Sequence, residues 1–304
     1  MSNDDFRCRR SGNSMDTRLL RSFLAVVRTG GITAAAAELS YAQSTVTAHV
    51  QALERSTGAR LLDRSAAGAV ATSAGARLAE HARHILDLED RMFAELAAAD
   101  RTPAGEVRLR APESVCAYRL PGVLRGLSER YPDVRLSLAP AATGDALSAV
   151  ADRRADLALV FEPSVSGNGL DVVDLGPQHL SLVAAPTTGL PRERRVTAAE
   201  LAEAGALLLE EGCGYSDELA ALLSAAAPAA APTRFGSVET VKRCVAAGLG
   251  VALLPTPTVE EEITDGRLVE LHGPRTSEHH LWLVRSATRW ASPAVMAVHS
   301  LLRT

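Results

Sequence analysis

Residues 33–54 read TAAAAELSYAQSTVTAHVQALE, and this stretch decides the fold of the N-terminal part of the chain. In its second half, Val46, Val50 and Leu53 recur at i, i+4 and i+7, which places three apolar side chains on one side of a helix. The rest of that helix surface carries small and polar residues, namely Gln43, Ser44, Thr47, Ala48 and Gln51. Hydroxyl and amide groups of this size can exchange hydrogen bonds with base edges in a DNA major groove.

A shorter helix is predicted immediately before this one. Ala35, Ala36 and Leu39 form its buried side, and residues 40–42 form the connecting turn. Two short helices joined in this way are typical of the helix-turn-helix, in which the second helix enters the major groove. On spacing alone, an alanine-rich helical hairpin with a solvated polar side fits the same pattern.

Segment 15–75 as a whole resembles the N-terminal domain of LysR-type transcriptional regulators. The positions that match the family pattern are Leu19, Leu20, Phe23, Val26, Val27, Ala35, Ala36, Leu39, Gln43, Ser44, Val46, Thr47, Leu53, Glu54, Gly58, Leu61, Leu62, Arg64, Thr72, Ala74 and Gly75. The resemblance implies that Gln43 and Thr47 contact the major groove, that Ser44 contacts a base or phosphate, and that Arg64 contacts the backbone or minor groove. The family's second basic wing residue is replaced by Ala67, which implies weaker binding to phosphates.

Composition and charge favour a globular protein whose N-terminal part binds DNA. The chain has 304 residues and a net charge of −4, whereas residues 15–73 contain six arginines and four carboxylates and therefore carry +2. No run of 18 apolar residues is present, so no membrane span is predicted. Residues 1–14 lack an apolar core and are expected to be a disordered tail rather than a secretory signal. The cysteines form no C-x-x-C pair, which fits a reducing cytoplasm and predicts no metal site.

The predicted domains are a winged helix-turn-helix over residues 15–73, a linker helix with hinge over 74–104, and an effector-binding domain over 105–304. In the linker, a long helix is predicted over residues 75–99. A seam of apolar residues runs along it at Leu78, Ala82, Ile85, Met92, Leu96 and Ala99. This heptad spacing predicts a dimerisation helix. A surface helix packed on its own domain is the alternative.

The C-terminal part alternates short apolar runs with helical patterns, which indicates an α/β fold. Strands are predicted at residues 107–109, 134–138, 157–161, 180–184, 206–209, 251–254 and 281–284. The LysR-type resemblance continues here, in residues 106–109, 118–121, 131–134, 155–159 and 246–255. It implies two lobes similar to type 2 periplasmic binding proteins, with lobe one at about 105–177 and 273–304 and lobe two at about 178–272.

Candidate effector contacts lie where strands pass into helices, because ligands of open α/β folds bind at such junctions. Carried over from the resemblance, they are Ser114, Thr143, Phe161, Cys213, Ser237 and Val238. Hydroxyls and free N–H groups there favour a small anion such as a carboxylate, although serine and threonine also serve as simple helix caps. Four nearby carboxylates would instead repel an anion or bind a cationic group, and these are Glu113, Glu162, Glu210 and Glu211.

The sequence therefore predicts a bacterial, cytoplasmic regulator that binds an operator in double-stranded DNA as a homodimer or homotetramer, responds to a small effector and contacts RNA polymerase. No cofactor is predicted. No enzyme is predicted either, because G-x-S-x-G, P-loop and H-E-x-x-H motifs are absent. His279 and His280 are expected to be solvated loop residues. The alternative is a cytoplasmic ligand-binding protein whose DNA-binding head is inactive.

Overall fold

A computed structural model describes residues 16–65, 68–97, 102–228 and 232–303, without the side chains at positions 64, 65, 94 and 97. The chain divides into two compact units, Met1–Asp100 and Arg101–Thr304. We call the first unit the head and the second the C-terminal unit. Each has its own hydrophobic core.

The head contains the predicted helix-turn-helix and wing. Its elements are α1 (Thr17–Thr29), α2 (Ile32–Glu38), α3 (Gln43–Thr57), β1 (Leu62–Ser65), β2 (Gly68–Ala71) and α4 (Ser73–Ala97). Helix α1 begins after Asp16, whose carboxylate accepts a hydrogen bond from the Arg18 N–H at 2.9 Å. It ends at Gly30, which has a φ of 69° and adopts the left-handed conformation that glycine tolerates best.

The apolar stripe predicted for α3 forms the centre of the head. Val46, Val50 and Leu53 are fully buried, and they share a core with Phe23 and Val26 of α1. Burial of each such side chain stabilises the fold by about 1.5–3 kcal/mol. Since the stripe points inward, the opposite side of α3 is left for solvent.

The apolar seam predicted along α4 is exposed only in the second half of the helix. Ala82 is fully buried and Leu78 packs against the head's own core, so the first half of the helix belongs to the head. The exposed apolar residues lie in its second half, and they are Ile85, Leu88, Met92, Phe93 and Leu96. We call these five residues the α4 stripe. Leu88 and Phe93 were missed because the predicted seam followed strict heptad positions; Ala99 lies outside the described residues.

The start of α4 packs so closely on the wing that there is no space for a side chain at Gly75. A Cβ atom on Gly75 would overlap the carbonyl oxygen of Leu61. That oxygen is held in place, because it accepts a hydrogen bond from the Thr72 N–H at 3.0 Å. We expect Gly75→Ala to lower the free energy of unfolding of the head by about 3 kcal/mol or more. Denaturant titration followed by circular dichroism measures this loss.

The matched control is Gly31→Ala in the same unit. Gly31 has an extended backbone, and a Cβ atom there would meet nothing within 4 Å. We expect a change below about 1 kcal/mol. Equal stability losses in the two variants would contradict the close packing of α4 on the wing.

One lobe of the C-terminal unit is built on a five-stranded sheet in the order β4-β3-β5-β12-β6. Its strands are β3 (Gly105–Ala111), β4 (Val134–Pro140), β5 (Leu157–Glu162), β6 (Leu170–Gln178) and β12 (His279–Ser286), and its helices are α5 (Glu113–Tyr118), α6 (Leu120–Arg130), α7 (Thr143–Ala151) and α12 (Pro293–Leu302). The three strands β4, β3 and β5 are parallel, whereas β12 runs antiparallel to β5 and β6. The chain therefore leaves this lobe after β6 and returns to it through β12.

The other lobe has a sheet in the order β10-β7-β11 and a parallel pair β8-β9. Its elements are β7 (Leu180–Ala184), α8 (Ala198–Ala204), β8 (Leu207–Leu209), α9 (Gly214–Ala226), β9 (Thr233–Phe235), α10 (Val238–Ala246), β10 (Ala252–Pro255), a 3₁₀ turn (Thr256–Thr258), α11 (Glu260–Thr264) and β11 (Val269–Leu271). All seven predicted strands are present. Strands β6, β9 and β11 were not predicted.

Among the described residues, no single helix has the length and apolar character needed to cross a membrane. The bent pair Thr17–Thr29 and Ile32–Glu38 meets that test only when both helices are counted together, by length and composition.

Candidate DNA-binding surface and effector cavity

The outer side of α3 carries the predicted base-reading residues. Gln43, Ser44, Ala48 and Gln51 are exposed, and Thr47 is partly exposed. The Thr47 hydroxyl donates a hydrogen bond to the Gln43 carbonyl oxygen at 2.9 Å, so its proton is already used within the helix. Thr47 can therefore offer an incoming base only its lone pairs and its methyl group.

The turn before α3 fixes the angle at which this helix leaves α2. Ser40 has a φ of 56°, a left-handed conformation that is uncommon for a residue with a side chain. Tyr41 packs edge-on against the His49 ring at 5.8 Å between ring centres. The His49 Nδ1 in turn lies 2.7 Å from the Ser22 hydroxyl of α1. His49 thus fastens α3 both to α1 and to the turn that precedes α3.

The wing is attached to α3 through Glu54. Its carboxylate accepts hydrogen bonds from the backbone N–H groups of Leu61 at 2.9 Å and Leu62 at 3.4 Å. Strands β1 and β2 pair antiparallel. Val70 of β2 is 67% exposed. The backbone of Arg64 lies in β1, but the contacts of its side chain and the whole of Ala67 lie outside the described residues.

Four predicted effector contacts meet in one small cavity, which we call the interlobe cavity because both lobes line it. Ser114, Thr143 and Phe161 contribute from one lobe and Cys213 from the other. The cavity volume is about 20 Å³. A volume of this size holds about one water molecule. The space in this cavity therefore suits a single small polar group.

The remaining two predicted contacts lie elsewhere. Val238 is fully buried in the hydrophobic core, and its backbone N–H donates to the Glu113 carboxylate at 3.3 Å. Ser237 precedes α10 without capping it through its side chain. Neither residue is among the described residues that line the interlobe cavity.

Two carboxylates that the predicted set of contacts omitted do line the cavity. Glu113 is the first residue of α5, and Glu210 follows β8. Burial raises the pKa of Glu113, and the negative charge of Glu210 raises it further. Burial also raises the pKa of the Cys213 thiol to about 11, again with a contribution from Glu210.

A third carboxylate, Glu162 at the end of β5, lies beside the cavity. Its Oε1 accepts a hydrogen bond from the Thr143 hydroxyl at 2.6 Å. It also lies against the first residue of α9, where a Cβ on Gly214 would come 2.5 Å from Oε2. Gly214 therefore lets this carboxylate approach the positive end of a 13-residue helix.

Aromatic rings form the apolar side of the cavity and correct one prediction. His279 is only 1% exposed; it is the first residue of β12 and stacks on Phe161 at 5.5 Å between ring centres. Tyr215, which was not predicted, meets Phe161 edge-on at 5.3 Å. His279 is thus a core residue and not a solvated one, because β12 lies between β5 and β6 and the rings of Phe161 and Tyr215 cover its side chain. His280, only partly exposed, lies on the same strand and contacts Asp174.

An α/β unit with a cavity between two lobes, joined to a winged helix-turn-helix, defines a ligand-responsive DNA-binding protein. Family models agree: "Bacterial regulatory helix-turn-helix protein, lysR family" matches residues 17–76, and "LysR substrate binding domain" matches residues 100–304. The chain belongs to the LysR family of transcriptional regulators, which combine a DNA-binding helix-turn-helix with an effector-binding domain.

Individual relatives match along nearly the whole chain. The HTH-type transcriptional regulator YwqM of Bacillus subtilis (strain 168) is 28% identical over 95% of this chain and 99% of its own length. A probable hydrogen peroxide-inducible genes activator of Mycobacterium avium is 32% identical over 82% of this chain and 80% of its own. A full-length OxyR variant from Pseudomonas aeruginosa has a similar fold, with a TM-score of 0.70, 19% identity and coverage of 95% of this chain and 93% of its own.

Proposed function

We propose that this regulator binds its operator as a homodimer or homotetramer, with α3 in the major groove and the wing on the adjacent backbone. The exposed polar side of α3 is the observation that carries the proposal. Gln43, Ser44 and Gln51 have side chains that can reach base edges or phosphates, while the inward side of the same helix forms the head's core.

The α4 stripe supports self-association. Leu88 is 66% exposed, Phe93 is 61% exposed and Leu96 is 73% exposed. Several large apolar side chains exposed on one helix mark an interaction surface. A second copy of the same helix is the occupant that we propose, because two heads are needed to read the two halves of a symmetric operator.

The interlobe cavity is proposed as the effector site and not as a catalytic site. Among the described residues that line it, the hydroxyl and thiol groups belong to Ser114, Thr143, Cys213 and Tyr215, and no histidine lines it with them. Effector binding would shift the balance between two arrangements of the lobes and so alter contacts with DNA and with RNA polymerase. A cytoplasmic location follows from this role.

Footprinting of the purified full chain on the DNA upstream of its own gene tests the proposal. We expect a protected region, and we expect enrichment of related sites from a pool of random duplexes. Protection of no site in either experiment would favour the alternative, a ligand-binding protein with an inactive head. Ala67, in place of a basic wing residue, is the feature that motivates this alternative.

The same residue gives a quantitative prediction about salt. A lysine at position 67 would add one phosphate contact in each subunit, so we expect Ala67→Lys to steepen the slope of log K against log salt concentration by about 0.9 per subunit. Binding isotherms on one operator at several salt concentrations measure the slope. An unchanged slope would place position 67 away from the phosphates.

Peroxide sensing, which the name of the Mycobacterium avium relative suggests, is not part of the proposal. Reaction with peroxide requires a thiolate. Burial raises the pKa of both the Cys116 and the Cys213 thiol to about 11, so both are protonated at neutral pH. In the sequence, the cysteine nearest to Cys213 is Cys244, so Cys213 has no partner at short spacing.

A further inference from the structure

The interlobe cavity is lined by two carboxylates and, among the described residues, by no cationic side chain. Glu113 and Glu210 line it, and no arginine, lysine or histidine does so among the described residues. The Lys242 charge lowers the pKa of Glu113 from outside the lining, but Lys242 already contacts Glu239 and Glu262 at 2.8 Å each. Arg234, which donates to the Leu209 carbonyl oxygen, contacts Asp217 at 2.8 Å. Within the described part of the chain, neither Glu113 nor Glu210 has an ion-pair partner within 4.0 Å.

The negative potential affects every titratable neighbour in the cavity. Burial is the largest cause of the raised pKa values of Glu113, Cys213 and Tyr215, and in each case the charge of Glu210 raises the pKa further. Burial disfavours any charged group, so only the contribution of the Glu210 charge to these shifts favours the arrival of a positive charge.

Two buried polar atoms at this cavity have no hydrogen-bond partner. Ser114 is 4% exposed, and its Oγ makes no hydrogen bond to a described residue, although the Tyr215 hydroxyl is near enough to interact with it. Glu210 Oε2 is also buried without a partner in the described chain. Leaving a buried polar atom without a partner destabilises the fold, so a ligand that donates hydrogen bonds to both atoms would recover that lost stability.

The position that an anion would take is filled by the protein itself. The Glu162 carboxylate accepts the Thr143 hydroxyl and lies at the N-terminal end of α9. A helix N-terminus is where a free carboxylate or phosphate is expected to bind. The internal carboxylate therefore blocks the anion that the sequence favoured and adds to the negative charge nearby.

We infer that the interlobe cavity binds the protonated primary amino group of a small effector, with Glu113, Glu210 and Ser114 as acceptors of its hydrogen bonds. An ammonium group has about the size of a water molecule, which is what the cavity of about 20 Å³ accommodates. It carries three donors, one for each acceptor. A planar guanidinium group is larger and would require the lobes to separate. This inference rests on the proposed effector site and specifies its ligand class.

Thermal unfolding of the full chain with simple probes tests the inference. The probes are methylammonium and ethylammonium chloride, guanidinium chloride at the same low concentration, and sodium acetate, each compared with sodium chloride at equal ionic strength. An amine at about ten times its dissociation constant should raise the melting temperature of the C-terminal unit by about 3–5 °C. Acetate should give no rise. Protection by acetate without protection by amines, or no protection by any amine, would overturn the inference.

Glu210→Gln and Glu113→Gln variants assign the effect to this cavity. We expect each to lose most of the amine response, whereas Glu129→Gln on the exposed surface of α6 keeps it. Glutamine at position 113 retains an oxygen for the Val238 N–H, so the local fold is preserved. An undiminished amine response in a double Glu113→Gln, Glu210→Gln variant would refute the assignment.

Ligand-free Glu113→Gln gives an independent check. Burial holds the folded-state pKa of Glu113 above its usual value of 4.5. The folded protein therefore loses stability as the pH rises from that value through the raised pKa, and the full penalty is present once the carboxyl is ionised. Glutamine removes the charge, so this variant should melt higher than the unmodified protein without ligand.

Operator footprints of the same variants separate the two proposals, because DNA binding without an amine response contradicts only the inference about the ligand.

Discussion

Replacing Gln43 and Thr47 together by alanine should abolish the preference for the operator while leaving general DNA affinity nearly unchanged. Each base-reading side chain contributes about 1–3 kcal/mol of discrimination. Because the Thr47 proton is used within α3, most of the effect should come from Gln43. The expected loss is about 10-fold to 10²-fold in the ratio of operator to random-duplex affinity, measured by gel shift with competitor DNA.

The matched control is Gln178→Ala, which makes the same substitution in the C-terminal unit on β6. Circular dichroism spectra and melting curves of both variants should overlay those of the unmodified protein, because Gln43 is exposed and Thr47 partly exposed at the surface of α3. A double variant that is folded and still selects the same operator sequence would show that α3 does not read the bases.

Placing charges on the α4 stripe should separate the subunits. In Leu88→Glu, Leu96→Glu, four carboxylates enter a symmetric interface that would otherwise bury four leucines. Loss of leucine burial alone weakens association by about 1.5–3 kcal/mol per side chain, so the dimer dissociation constant should rise about 10³-fold or more. Sedimentation velocity at micromolar concentration should then detect monomers. Operator affinity should fall too, since one head reads only half a site.

Arg91→Glu is the control for charge, because it changes the net charge by the same amount on the same helix. Arg91 lies outside the α4 stripe and forms an exposed pair with Glu95. This variant should remain associated. If the two variants dissociate equally, or if neither does, the stripe is not the interface between copies of this chain.

The sequence predicted most where one residue pattern has one physical outcome. The i, i+4, i+7 spacing of Val46, Val50 and Leu53 requires a buried stripe in a helix, and all three are fully buried. The apolar strands were found for the same reason. Strand β6 was missed because Gly176 and Pro177 interrupt its pattern, and β9 and β11 are only three residues long.

Properties that depend on contacts between distant residues were not predictable. His279 looks polar in the sequence, yet Phe161 and Tyr215 cover it, since both lobes meet at its strand. Val238 begins a helix beside a serine, but the helix turns its side chain into the core. The sign of the charge in the cavity was equally unpredictable, because residues near a site in the sequence do not all face it. Of the four nearby glutamates, the structure places Glu113 and Glu210 on the lining.

The bond network of Glu54 has a consequence for protein engineering. Its carboxylate joins the last turn of α3 to the two residues that open the wing, and Thr72 and Gly75 fix the other end of the wing to the same backbone. A graft that exchanged α3 alone between regulators would separate Glu54 from the wing backbone to which it is hydrogen-bonded. The smallest portable module for transferring DNA specificity is therefore the whole segment 43–75, moved as one block.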